Sequence, residues 1–120
     1  MAEIFYWEAI RRAHDEEMTH DPLVIAMGED IGVVGGTYKA TSGLFEKYGE
    51  TRIIDTPISE NSYTGIGISA SMAGVRPIIE IMSINFALLA LDTIVNAAAK
   101  IRYMSGGRVT CPIVLRTPGG

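Results

Sequence analysis

The chain has 120 residues, 48% hydrophobic and 20% charged, which suits one globular domain with a core and excludes a disordered segment. Its net charge is −4, and Lys39, Lys47, Lys100, Arg102 and Arg108 are scattered rather than clustered, which argues against a nucleic-acid-binding surface. A single cysteine, Cys111, rules out an internal disulfide or a cysteine metal cluster, and is expected to be a small buried strand residue.

The start, MAEIFYWEAIRRAHDEE, lacks the basic opening and apolar stretch of a signal peptide, and its acids are unlike a transit peptide. No apolar run approaches the roughly 20 residues needed to span a bilayer. A soluble, cytoplasmic chain with no membrane partner is the expectation.

Ile4, Trp7, Ile10, Arg11 and His14 recur at helical spacing over residues 3–20, which predicts an amphipathic helix. Pro22 breaks it, and a short buried strand follows over Leu23–Met27. IGVVGGTYKATSG reads as a glycine-rich loop, and LFEKYG as a short helix closed by Gly49. TRIID is a second strand and TPISE its turn. Residues 61–73 form a helix of small residues stopped at Gly74, and RPIIEIM a third strand. NFALLALDTIVNAAAKIRYMSGG predicts one long helix with Leu88, Leu91, Val95, Ala98, Ile101 and Arg102 near one stripe. VTCPIVLR is a fourth strand. Apolar strands alternating with helices give an α/β fold, a mostly parallel sheet covered on both faces. Sites in such folds lie beyond the carboxyl ends of the strands, which directs attention to Thr56–Asn61 and Met82–Asn85.

Within these loops few residues have chemistry to offer. Gly65 to Ala70 fits G-x-G-x-x-A as a string, but its glycines fall inside the small-residue helix rather than at a strand-to-helix turn, so close packing explains them better than a dinucleotide does. His14 and His20 lack a third ligand and are expected to face solvent. No serine has a histidine placed to activate it, and no nucleophile elbow is present. Glu29 and Asp30 read as turn acids, with Glu29 a lesser candidate for an interior site. Glu60 has two readings. In the first turn of a helix an anion is favoured by about 0.3–1 kcal/mol, a purely structural use. Alternatively, beside the bulky apolar Met82, Phe86 and Leu89 and away from basic partners, its carboxylate is poised to share a proton with a ligand's ring nitrogen.

DTPISE, GVRPIIEIM, NFALLALDTIVNAAAKIRYMSGG and PIVLRTPGG resemble the beta subunit of thiamine-diphosphate-dependent 2-oxo acid dehydrogenases, and GEDIGVVGGTYKATSGLFEKYG is similar to the pyruvate dehydrogenase branch. The resemblance runs without gaps from about Ile4 to Gly120. It implies a partial transketolase-like pyrimidine-binding domain over residues 1–120, incomplete at its C-terminus, with the C-terminal domain of the family absent.

It also implies roles. The glutamate at the position of Glu60 hydrogen-bonds the aminopyrimidine ring of thiamine diphosphate and relays the proton that activates the cofactor for pyruvate decarboxylation and acetyl transfer to lipoamide. The backbone near Ile58 and the side chains of Met82, Phe86 and Leu89 match positions that wall the pyrimidine. Leu89 and Thr93 stand where relatives often carry glutamine. The carbonyl of Ile113 matches a contact to potassium in some relatives. No GDG followed by an asparagine about thirty residues later occurs in this chain. The resemblance therefore implies that magnesium and the diphosphate are held by an alpha subunit, in a heterotetramer with a second beta subunit, serving a lipoyl acyltransferase core. Small residues Ser69, Ala70, Ala73, Ala97 and Ala98 are candidates for subunit packing. Acetoin or a branched-chain 2-oxo acid as substrate, or a non-catalytic interaction module, are the competing readings.

Overall fold

In a computed structural model, the structure describes residues 3–119. Four parallel strands, β1 (Val24–Gly28), β2 (Ile53–Asp55), β3 (Arg76–Glu80) and β4 (Val114–Arg116), form one sheet in the order β2-β1-β3-β4. Met27 pairs with Ile54 on one side and Ile79 on the other, and Ile79 pairs in turn with Leu115.

Side chains alternate across this sheet, as the two-residue period of a strand requires. Val24, Ala26 and Ile53 point to one face, where they join Met18 of α1 (Tyr6–His20) and Leu44 of α2 (Leu44–Tyr48), with Ile78 packed against them. Met27 and Ile79 point to the other face. There they meet Tyr63 of α3 (Glu60–Met72), with Ala87, Ala90 and Ile94 from the helical segment that follows β3. The doubly covered α/β sheet expected from the sequence is present.

Several boundaries moved. The first helix starts at Tyr6, and its buried residues are His14 and Met18. The long helix is broken. Ile84–Ala90 winds as a 3₁₀ segment, Thr93–Ala98 as a π turn and Ala99–Met104 as α4, with a bend of 63° between the first piece and the rest. One local cause is visible: the Thr93 hydroxyl donates to the Ala90 carbonyl (2.8 Å), competing with the backbone ladder where the winding changes. The shift of period also moves the buried side, so Leu88, Leu91 and Val95 of the expected stripe are exposed while Ala90 is buried. No single helix among the described residues is long and apolar enough to cross a membrane. Cys111 precedes β4 instead of lying in it, is only half-buried, and accepts a hydrogen bond from Ser71 (3.0 Å).

Gly67 explains the small-residue helix. A Cβ there would come within 2.6 Å of the Ile79 Cδ1 and 3.0 Å of the Met27 Sδ, so a side chain would push α3 off the sheet. The glycines of GIGISA do lie inside a helix, where they serve packing.

His14 corrects the expectation of a solvent-facing histidine. It is buried, and its Nδ1 donates to the Ile10 carbonyl at 2.8 Å. Burial depresses its pKa below the ordinary 6.5, the Ile10 hydrogen bond opposes that, and nearby Arg116 adds to it. Because the folded pKa is the lower one, the unfolded chain binds more protons below about pH 6.5. Stability should therefore fall as pH drops from 7.5 to 5.5. Thermal midpoints of the protein at the two pH values measure this, and His14→Gln, which can still donate to Ile10, should flatten the difference. An equal drop in parent and variant would remove His14 as its cause.

Candidate functional site

The chain turns to opposite sides of β1, with β2 on one flank and β3 on the other, and sheets of this kind place their ligands beyond the carboxyl ends of the strands at such a reversal, here β1 and β3. Three carboxyl-bearing residues reach that edge. Glu29 follows β1, Glu80 ends β3, and Glu60 is the first residue of α3 after the short connection from β2. All three are buried, Glu29 at 4% exposure and Glu60 at 6%.

Their surroundings divide them. Glu80 forms an ion pair with Arg116. Glu29 and Glu60 are not among the acids that pair with a base; the other ion pairs among the described residues are Arg12–Glu8, Lys47–Asp15 and Arg76–Asp21. Burial raises the pKa of Glu29 above the usual carboxylate range, and the charge of Glu60 raises it further, while the Tyr63 hydroxyl close by offsets part of this. Tyr63 feels the same field: burial first, then the charges of Glu29 and Glu60, push its phenol far up, so it stays protonated. Of the acids at this corner, Glu29 is the one that burial and the neighbouring Glu60 charge incline to keep its proton.

The hydrogen bonding of this corner is unfinished. Glu29 Oε1, Thr56 Oγ1, Tyr63 OH and Thr64 Oγ1 are buried without a hydrogen-bond partner. Buried polar atoms are nearly always paired, and orphans of this kind mark places where a ligand or water belongs. The three hydroxyls can each give or take a hydrogen bond and the Glu29 oxygen can take one, a set that suits a nitrogen-bearing ring, which both gives and takes hydrogen bonds. The residues present fit an aminopyrimidine.

Of the residues singled out in the sequence, Glu60 lies at this corner as expected. Met82 and Phe86 follow β3, and the segment Ile84–Ala90 packs against α3, which sets Phe86 and Leu89 on the same side of the sheet as Tyr63. Their side chains stand largely open rather than enclosed as walls. Phe86 is 43% exposed, Leu89 63% and Ile58 82%, while Met82 is half-buried. Ile113 stands apart. It precedes β4 and lines a groove with Val24, Arg76 and Pro77, at the amino end of the sheet. Glu29, expected chiefly as a turn acid, is buried at this edge; the sequence signal for that is its place immediately after β1, the strand from which the chain reverses.

The sequence matches the family described as "Transketolase, pyrimidine binding domain" over residues 2–120. It is 55% identical over all 120 residues to a pyruvate dehydrogenase E1 component subunit beta from Chaetosphaeridium globosum, covering 37% of that protein. It is 54% identical over 118 residues to the mitochondrial subunit of that name from Dictyostelium discoideum, covering 33% of it, and 50% identical over 118 residues to the chloroplastic subunit beta-3 from Arabidopsis thaliana, covering 29%. In both cases the match includes 98% of this chain. The chain thus spans about a third of the relatives' length, and the organellar names of two of them give a cytoplasmic location no support. Matched from Ala2 to Gly120, the chain belongs to the transketolase pyrimidine-binding domain family.

Proposed function

We propose that this chain is part of the beta subunit of a pyruvate dehydrogenase and supplies the carboxylate that activates thiamine diphosphate. The observation that carries the reading is Glu60, buried at the carboxyl edge of the sheet beside a protonation-prone Glu29 and a set of orphaned polar atoms. Bound with its pyrimidine at this corner, the cofactor would supply the nucleophilic carbon and the electron sink for decarboxylating a 2-oxo acid.

The chain's own groups would do the rest. Glu60 would hold a proton at the ring nitrogen. Glu29, which resists ionisation beside it, would keep that proton within the pair instead of losing it to solvent. Ile58, Met82, Phe86 and Leu89 would cover the ring and keep water away. The exposure of these side chains favours a site completed by another chain, an alpha subunit carrying magnesium and the diphosphate, within a heterotetramer that passes acetyl groups to a lipoyl acyltransferase. A potassium contact at the Ile113 carbonyl would belong to a separate site at the other end of the sheet.

Calorimetric titration of thiamine diphosphate and magnesium into the subunit, with and without an alpha partner, tests this. Tight binding only in the assembled form is expected; no binding in either form would remove the cofactor reading. Phe86→Ala provides a finer check. Because Phe86 is half-exposed in the free chain, its loss should cost little stability but weaken cofactor affinity. Covering an aromatic side chain contributes about 1.5–3 kcal/mol, so the dissociation constant should rise about 10- to 100-fold. Unchanged affinity would take Phe86 out of the pocket.

A further inference from the structure

The loop between β1 and α2 is held in a costly conformation. Asp30, Tyr38 and Lys39 have φ of 52°, 55° and 61°, the left-handed region that non-glycine residues seldom adopt. Such strain persists only where neighbouring structure over-determines it. Part of the loop's order is internal: Thr41 Oγ1 donates to the Ile31 carbonyl (2.7 Å) and Thr41 N to the Gly35 carbonyl (3.1 Å). Its tie to the sheet at the carboxyl end of β3 is Glu80, whose Oε1 accepts from the Thr37 amide at 3.2 Å.

Glu80 has just what such an anchor needs. Its side chain is 3% exposed and is neutralised by Arg116 of β4, itself 14% exposed, so its remaining acceptor capacity is fixed in place. Next to Thr37, the Gly36 amide donates to the Asp30 carbonyl at 2.9 Å. Gly36 is glycine for a reason on both sides. Its φ is +72°, and a Cβ would come within 2.7 Å of Thr41 Oγ1 and 3.4 Å of Glu80 Oε1. Asp30 directly follows Glu29. A continuous path of bonds therefore runs from the ion pair through Thr37, Gly36 and Asp30 to the acid beside Glu60.

We propose that the Glu80–Arg116 pair is a latch that holds the Asp30–Thr41 loop down and thereby positions the Glu29 carboxylate against Glu60. Glu80 and Arg116 act here as positioning residues, and the proposal rests on the reading of Glu60 and Glu29 as the proton-handling pair. Nothing in the local sequence announces the latch, since its two members are 36 residues apart.

The test is to replace both charges at once, Glu80→Leu with Arg116→Met, in the intact subunit. Amide hydrogen exchange should accelerate at Gly36 and Thr37 by about 10- to 100-fold, as expected for losing a hydrogen bond to a charged acceptor, while Ile78 and Ile79 of the sheet stay protected. The carboxyl carbon of Glu29, followed by NMR, should titrate closer to an ordinary glutamate once the loop lifts. Gly36→Ala lifts the same loop with the ion pair intact, so it decides the matter if the double variant does not fold; it should shift the Glu29 titration in the same direction. Unchanged exchange at Gly36 and Thr37, or an unshifted Glu29 in a variant whose loop has opened, would overturn the latch. If both readouts move as expected but the parent subunit assembled with its alpha partner releases no carbon dioxide from pyruvate, the latch stands and the proposed function falls.

Discussion

Glu60→Gln in the assembled enzyme is expected to lower turnover by about 10²–10⁴-fold, the usual contribution of a positioned acid or base, while the subunit stays folded. Glutamine keeps the size of the side chain and one acceptor oxygen, so it can still contact a pyrimidine ring. It cannot hold or return a proton. The structural alternative makes a different forecast. Glu60 is the first residue of a 13-residue helix, where a carboxylate favoured by the dipole contributes about 0.3–1 kcal/mol. Were that its whole use, the substitution would cost a fraction of that stability and spare the rate. Steady-state decarboxylation, paired with urea unfolding of the same variant, separates the two. Normal turnover in a folded Glu60→Gln enzyme would return Glu60 to the role of a helix-end charge.

Arg116→Ala should be the most destabilising single change among the ion pairs. It strands Glu80, 3% exposed at the end of a central strand, without its counter-charge. Breaking a buried pair from one side costs about 3–5 kcal/mol, a large share of the roughly 5–15 kcal/mol that holds a domain together. The exposed pair Lys47–Asp15 provides a contrast, since surface pairs of this kind contribute about 0–1 kcal/mol. Urea midpoints for Arg116→Ala and Lys47→Ala should therefore differ widely. Glu80→Leu combined with Arg116→Met should recover most of the loss, because two apolar groups leave no buried charge behind. Equal midpoints for the two single variants would show that solvent reaches Glu80 freely.

The architecture was legible because the strands announce themselves. Leu23–Met27, TRIID and RPIIEIM are short apolar runs bounded by turn residues, and their alternation with helices left only a parallel sheet. Gly49 and Gly74 marked the ends of their helices for a local steric reason. The place of Glu60 at the carboxyl edge of the sheet was legible too, from the strand end before it and the small-residue helix after it. The losses are of another kind. The segment from Ile84 to Met104 was read with a single 3.6-residue period, but 3₁₀ and π winding shift the buried side, and apolar periodicity does not carry that shift. His14 reads as a surface histidine on its own helix, and it is the sheet packed beneath that buries it. Glu29 and the Glu80–Arg116 pair acquire their meaning from neighbours far along the chain. Tertiary placement alone turns a turn acid into a buried carboxyl beside Glu60.

If Glu60 moves a proton to activate the cofactor, its effect is measurable on the cofactor itself, ahead of any later step. Thiamine diphosphate bound to the assembled enzyme exchanges its acidic thiazolium proton with deuterated water, and quenched-flow NMR can follow the rate without pyruvate present. Glu60→Gln should slow this exchange by about 10²–10⁴-fold while the cofactor remains bound. Equal exchange rates in the parent and the variant, at equal cofactor occupancy, would contradict the account.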